Sequence, residues 1–180
     1  MEKLFLTAQI IGIIAFFLST LKYQIKCVRN VLWIECAATS LWAIHIFLLG
    51  GISAAIVNSI AVVRAVLCLK LTSKYLPAIV WGAFSLAAFL IIPSINGLSA
   101  ILPLIGFGFY GLACLFQYNP LYMRISCLAG DSIWLLYALI IFSLPLALTC
   151  FLSILSSVYA LYRYERQALS GLFIKPRTYP

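Results

Sequence analysis

The sequence predicts an all-α, polytopic membrane protein with seven transmembrane helices, built as two parallel three-helix repeats joined by a linker helix. Three observations predict it. Of the 180 residues, 65% are hydrophobic and 9% charged, whereas a soluble domain is about half apolar and about a quarter charged. The apolar residues fall into seven runs of membrane-spanning length, and the mean hydropathy is +1.13. Finally, the stretch SLWAIH (residues 40–45) returns ninety-two residues later as SIWLLY (residues 132–137).

A helix crosses the hydrocarbon core with about 20 residues, within a range of about 17–25. Span one is residues 4–21. It resembles a signal peptide in position, but Glu2 cancels Lys3 and no small-x-small cleavage site follows, so a retained span is expected. Span two is 31–49 and carries Trp42. Gly50-Gly51 must turn the chain with almost no loop into span three, 52–69. Span four, 77–92, carries no charge. Span five, 98–116, opens near Pro103 and contains Gly106, Gly108 and Gly111, which permit close helix approach. Span six is 123–142 and carries Trp134. Ser143 then turns the chain into span seven, 144–162, and a basic tail follows that is expected on anionic headgroups.

The distribution of Lys and Arg orients the spans. Lys22, Lys26 and Arg29 follow span one. Arg64 lies near the end of span three, and Lys70 and Lys74 follow it. Arg124 ends the gap after span five, and Arg163, Arg166, Lys175 and Arg177 occupy the tail. These are eleven of the twelve basic residues, and alternating spans put them all on one side, with Lys3 alone on the other. The expectation is therefore an odd number of spans, an outside N-terminus and a cytoplasmic C-terminus. The formal charge of +8 is explained as flanking charge on membrane spans. The basic residues form no patch with interleaved aromatics, and no nucleic-acid partner is expected.

Aligning Trp42 with Trp134 matches spans one to three with spans five to seven. Each half has a Gly-containing span, a gap with Gln and a basic residue (YQIKCVRN, then FQYNPLYMR), a Trp-bearing span, a tight turn and a third span. Three spans per half require a seventh, span four, for both halves to enter the membrane in the same sense. The expected organisation is a first repeat at 1–70, a linker region with the fourth helix at 71–97, a second repeat at 98–163 and a cytoplasmic tail at 164–180.

This 3+1+3 layout, the Gln-containing gaps and the Trp on spans two and six resemble the SWEET sugar transporters and other PQ-loop proteins. More closely, Gln24, Lys26 and Arg29, then HIFLLGGISAAIVNSIAVVR from His45 to Arg64, resemble the YgjV family of bacterial inner-membrane proteins. The SWEET resemblance implies a solute pocket with Trp on spans two and six and Asn on spans three and seven. Trp42, Trp134 and Asn58 match it, while Cys150 stands at the fourth position. It also implies hinges at prolines near the cytoplasmic gaps; Pro120 fits, but Lys26-Cys27 occupies the first gap.

Polar residues within the spans need a partner or a function. At a rise of about 1.5 Å per residue, His45 lies about 21 Å from the cytoplasmic end of its span, and Asn58 about 9 Å from the outer end of the next. In a core about 30 Å thick these levels are similar. Trp42 lies a turn below His45, at the level of Trp134. Trp42, Asn58 and Trp134, with His45 and Tyr137 above them, are the candidate solute-binding residues. Each has a plainer reading as a packing or interfacial residue, and His45 could instead sense protons, since an unperturbed imidazole titrates at about 6.5. Deeper toward the basic side lie Glu35, Arg64 (about 8 Å from the end of its span) and Asp131 (about 12 Å). Glu35 and Arg64 are expected to pair, as a staple or an inner gate, unless Arg64 snorkels. Asp131 has no basic residue within one turn.

The six cysteines form no C-x-x-C pair, and the chain contains no phosphate-binding loop, nucleophile elbow or metal-ligand spacing. No enzyme activity, catalytic residue, metal or cofactor is expected. The sequence therefore reads as a bacterial inner-membrane carrier of a small polar solute in the lipid bilayer, working by alternating access, passively or coupled to protons. The alternative is a non-transporting membrane scaffold or sensor.

Overall fold

The computed structural model describes residues 2–21, 28–70, 73–94, 97–116 and 118–164. The expected first basic gap, with Lys22, Gln24, Lys26 and Cys27, and the expected tail from residue 165 lie outside them. Among the described residues seven α-helices run in order: α1 (Glu2–Leu21), α2 (Val28–Leu48), α3 (Ile52–Lys70), α4 (Leu76–Ile91), α5 (Leu98–Leu115), α6 (Pro120–Ile140) and α7 (Leu144–Tyr164). Four of them contain stretches long and apolar enough to cross a membrane: Leu4–Leu21, Leu98–Leu115, Pro120–Ile140 and Leu144–Arg163. Trp33–Leu48, Ile52–Cys68 and Leu76–Ile91 are shorter apolar helices.

Local chemistry sets the helix starts. Asn119 caps α6, its side chain accepting from the Tyr122 backbone N–H, and Pro120 occupies the first turn, where a missing N–H costs nothing. That signal starts α6 three residues before the apolar run that marks it in the sequence. Pro77 likewise sits in the first turn of α4. Pro103, by contrast, lies inside α5, which begins at Leu98 after Gly97 at φ +97°.

Every helix packs on its chain neighbours, and α3 also packs on α5 and α1 on α7. Six helices thus close a ring in the order α1, α2, α3, α5, α6, α7, with α4 lying on the α3–α5 seam. The ring is filled by a core cluster that includes Trp42, Val57, Phe107, Trp134, Tyr137 and Cys150. Burial is inverted relative to a soluble protein. His45 is fully buried and Asp131 is 8% exposed, while Phe89 is 74% and Leu144 68% exposed. Lipid, which solvates apolar side chains and not polar ones, is the solvent that makes this arrangement stable.

The two tight turns share one geometry. After α2, Gly51 N–H bonds to Ile46 C=O and Gly50 N–H to Phe47 C=O, both at 2.9 Å, with Gly50 at φ +83°. After α6, Ser143 N–H bonds to Ala138 C=O at 2.9 Å and Phe142 N–H to Leu139 C=O at 3.4 Å, with Phe142 at φ +53°. Both are Schellman closures, in which a left-handed residue lets two terminal carbonyls find donors. Every donor and acceptor of the second turn lies ninety-two residues after its counterpart in the first. The correspondence reaches back into the helices: Ser40 donates to Cys36 C=O and Ser132 to Leu128 C=O, each at 2.8 Å.

The left-handed position is native to glycine but costs an L-residue roughly 1–2 kcal/mol. Phe142 occupies it while its side chain is 80% exposed. Phe142→Gly is expected to stabilise the detergent-purified protein by about 1 kcal/mol, and Gly50→Ala to destabilise it by a similar amount. Unfolding midpoints of the two variants would check the pair.

Candidate functional site

The Trp-bearing helices place their paired rings alike. Trp42 meets His45 edge-to-face at 5.5 Å between centroids, and Trp134 meets Tyr137 in the same way at 5.6 Å. A spacing of three residues puts both members of each pair on one helix face. From there each second ring reaches toward the tight turn of the other half: His45 of α2 contacts Ser143 before α7, and Tyr137 of α6 abuts Gly51 before α3.

In the first half these groups are fully hydrogen-bonded. The Trp42 indole N–H donates to Ser19 Oγ of α1 at 3.1 Å. His45 Nδ1 is 2.6 Å from Ala8 C=O, and Nε2 is 2.6 Å from Ser143 Oγ. A carbonyl only accepts, so Nδ1 carries the proton. In the neutral ring Nε2 then accepts from the Ser143 hydroxyl. Ser143 Oγ in turn accepts from the Leu146 backbone N–H at 3.4 Å, capping α7. His45 thereby ties α1, α2 and α7 together. Gly12 makes room for it: a Cβ there would lie 2.8 Å from both His45 Cε1 and Nδ1.

The second half lacks such partners. The indole N–H of Trp134 and the hydroxyl of Tyr137 are buried and unpaired. The Trp134 Nε1 faces the backbone of α5, where a Cβ at Gly106 would be 2.7 Å away. Tyr137 lies at the position of His45, and Gly51 at the position of Ser143, so the ring contact survives without the hydrogen bond. Leaving a buried donor unsatisfied costs about 1–3 kcal/mol.

A cavity of about 330 Å³ opens at this end of the bundle, lined by Tyr137, Gly51, Ser53, Ile56, Ile91 and Ser99 among others. A second, of about 300 Å³, lies among α3, α4 and α5. Trp42, Asn58 and Trp134 line neither of these two cavities; both indoles pack in the core cluster. Asn58 is half-buried, and its amide N–H donates to Ala54 C=O of its own helix at 2.9 Å, the local back-bond open to short polar side chains in helices.

One expectation about the ionisable residues needs correction. Arg64 lies over the Phe107 ring, 4.5 Å from its centroid, instead of pairing with Glu35, because α3 turns its guanidinium toward α5. Asp131 meets its partner on another helix: the Tyr110 hydroxyl of α5 donates to its Oδ1 at 2.5 Å. Asp131 is 8% exposed, and Gly130 beside it lets the Tyr110 ring pack on α6. Ser19, Tyr110 and Phe107 were invisible as site residues in the sequence because each meets its partner across helices rather than along one. Ser143 was legible only as a turn.

The His45–Ser143 bridge makes a direct test. His45→Ala and Ser143→Ala should each destabilise the detergent-purified protein by about 1–3 kcal/mol. The double variant should lose less than the sum, with a coupling of about 0.5–3 kcal/mol. Additive losses in denaturant unfolding would remove the bridge as a stabilising contact.

No curated protein and no solved structure matches the chain in comparison. A family model described as bacterial inner membrane protein, Imp-YgjV, matches residues 6–168. With nearly the whole chain covered, apolar helices facing outward and polar groups turned inward, the protein belongs to the YgjV family of bacterial inner membrane proteins.

Proposed function

We propose that this membrane protein is a carrier of a small polar solute that works by alternating access, with seven spans in a SWEET-like 3+1+3 arrangement. The observation that carries the reading is the asymmetry between the two matched ring pairs. Trp42 and His45 are internally satisfied, while the Trp134 N–H and Tyr137 O–H, one turn apart on α6, are buried donors without acceptors. A solute bearing hydroxyl or carbonyl oxygens would supply those acceptors in a state where the halves separate. Tyr137 borders the cavity at the turn end of the bundle, and Trp134 lies a turn deeper on the same face of α6.

The repeat has independent support. Exchanging α1 with α5, α2 with α6 and α3 with α7 leaves the ring of helix neighbours unchanged, since α1·α7 becomes α5·α3. The two turns correspond bond for bond. In this reading residues 1–70 and 98–163 move against each other, and 71–97 links them. The crossed contacts, His45 with Ser143 and Tyr137 with Gly51, hold the halves together at the turn end. The one-sided Lys and Arg put that end outside, with the N-terminus, and the C-terminus in the cytoplasm. The Tyr110–Asp131 pair lies nearer the basic end, where a carboxyl hydrogen-bonded to a phenol hydroxyl is a site for proton coupling.

Tyr137→Phe separates this role from a structural one. Removing an unpaired buried hydroxyl should leave stability unchanged or raised. It should weaken solute binding by about tenfold, as for loss of one hydrogen bond to a bound ligand. The measurement is tryptophan fluorescence of the purified protein against sugars, polyols, amino acids and small organic acids, followed by uptake in proteoliposomes. Trp134→Phe should abolish the response, and Trp33→Phe, which alters a half-exposed ring, should keep it. Uptake unchanged by Tyr137→Phe and Trp134→Phe together would remove the site; silence across the panel would favour the scaffold or sensor reading.

A further inference from the structure

The second cavity sits apart from the ring pairs. It is a groove of about 300 Å³ between α3, α4 and α5, and its walls are apolar: Val80, Trp81 and Phe84 of α4, and Ile105, Phe107 and Leu112 of α5. Its single charged lining residue is Arg64. The guanidinium lies over Phe107, and its Nη1 is buried with no hydrogen-bond partner. An aromatic face offsets part of the charge but accepts none of the N–H groups in the plane of the fork. A guanidinium at membrane depth without an anion is costly. Gly108 and Gly111 let α4 pack close on α5 beside the groove: a Cβ at Gly108 would stand 3.1 Å from Phe84 Cε2, and one at Gly111 3.0 Å from Val80 Cγ1. Trp81 and Ile105, at the rim, are 53% and 41% exposed, so the groove opens sideways into lipid.

We infer that this groove binds an anionic phospholipid, with the Arg64 guanidinium turning from its buried place over Phe107 to meet the phosphate and an acyl chain against Val80, Phe84 and Ile105. The charge pattern selects the occupant. One unpaired cation in an otherwise apolar slot complements an anionic head on a hydrocarbon chain. A soluble anion would leave the apolar walls empty, and a neutral lipid would leave Arg64 unpaired. Depth agrees. Arg64 is six residues before Lys70, about 9 Å along α3, and Lys70 and Lys74 lie at the same end of the groove, both exposed. Basic pockets between spans at the cytoplasmic side are recurrent anionic-headgroup sites. The bound lipid would fill the seam beside α4, the helix outside the six-membered ring.

The test is lipid-dependent thermal stability of the delipidated, detergent-purified full chain, with native mass spectrometry to count retained lipid. Phosphatidylglycerol is expected to raise the unfolding midpoint and to remain bound; phosphatidylcholine, oleate and inorganic phosphate are not. Arg64→Gln should reduce phosphatidylglycerol retention about tenfold, the effect of one charge-assisted hydrogen bond. If Arg64→Gln does not fold, Ile105→Trp, which fills the groove from its rim and leaves Arg64 in place, should remove the phosphatidylglycerol effect alone. Equal responses to phosphatidylglycerol and phosphatidylcholine would overturn the inference. So would retention unchanged in the folded variants, or an equal shift with oleate or inorganic phosphate, which would assign the groove to a fatty acid or a free anion. Solute binding is read separately by fluorescence, so the carrier reading stands or falls on its own.

Discussion

In hydrocarbon, a polar group that finds no partner inside the protein finds none at all. That constraint organises this structure more than hydrophobic burial does, because lipid is as apolar as the side chains it replaces and gives little drive for helices to associate. The His45 ring is the clearest case. Its two nitrogens join a carbonyl of α1 to the hydroxyl that caps α7, and so bind three helices through one buried side chain. The Trp42–Ser19 and Tyr110–Asp131 contacts tie α2 to α1 and α6 to α5 in the same manner. Small residues make the contacts possible: Gly12 admits His45, Gly51 admits Tyr137, and Gly106 admits Trp134.

The two halves obey one backbone plan and depart from each other in chemistry. Turn geometry, serine back-bonds and edge-to-face ring pairs coincide at a fixed offset, because each is dictated locally by a helix end and a three-residue spacing. The differences sit where polar satisfaction is decided. His45 faces Ser143, whereas Tyr137 faces Gly51, and the first contact is a hydrogen bond while the second is a packed ring with an unused hydroxyl. The matched positions thus keep one geometry while Trp134 and Tyr137 are left with donors that no group of the protein accepts. The same logic applies to Arg64, whose ring contact leaves a guanidinium edge unclaimed.

Much of this was legible in the sequence. Seven apolar runs became seven helices, most with ends shifted by only a few residues, since length and hydropathy mark a helix in lipid directly. The Gly50-Gly51 and Ser143 turns were legible because almost no residues were left to make them. The start of α6 was misplaced because the Asn119-Pro120 cap is polar and falls outside the apolar run it begins. The Glu35–Arg64 pair was misread for another reason. Adjacent helices bring two residues to a similar depth, but the rotation of each helix about its axis decides whether they face each other. Apolar sequences on all sides of a helix leave that rotation almost unmarked.

The sequence by itself determined the solvent, the number and extent of the helices, and the recurrence of the Trp-centred stretch, because each follows from composition and spacing along one chain. Only the tertiary structure decided which polar atoms meet. Helix rotation and ring closure put Ser19 under Trp42, Tyr110 on Asp131 and Phe107 beneath Arg64. They also left Trp134 and Tyr137 without partners. Such meetings join residues far apart in the chain, and no local spacing encodes them.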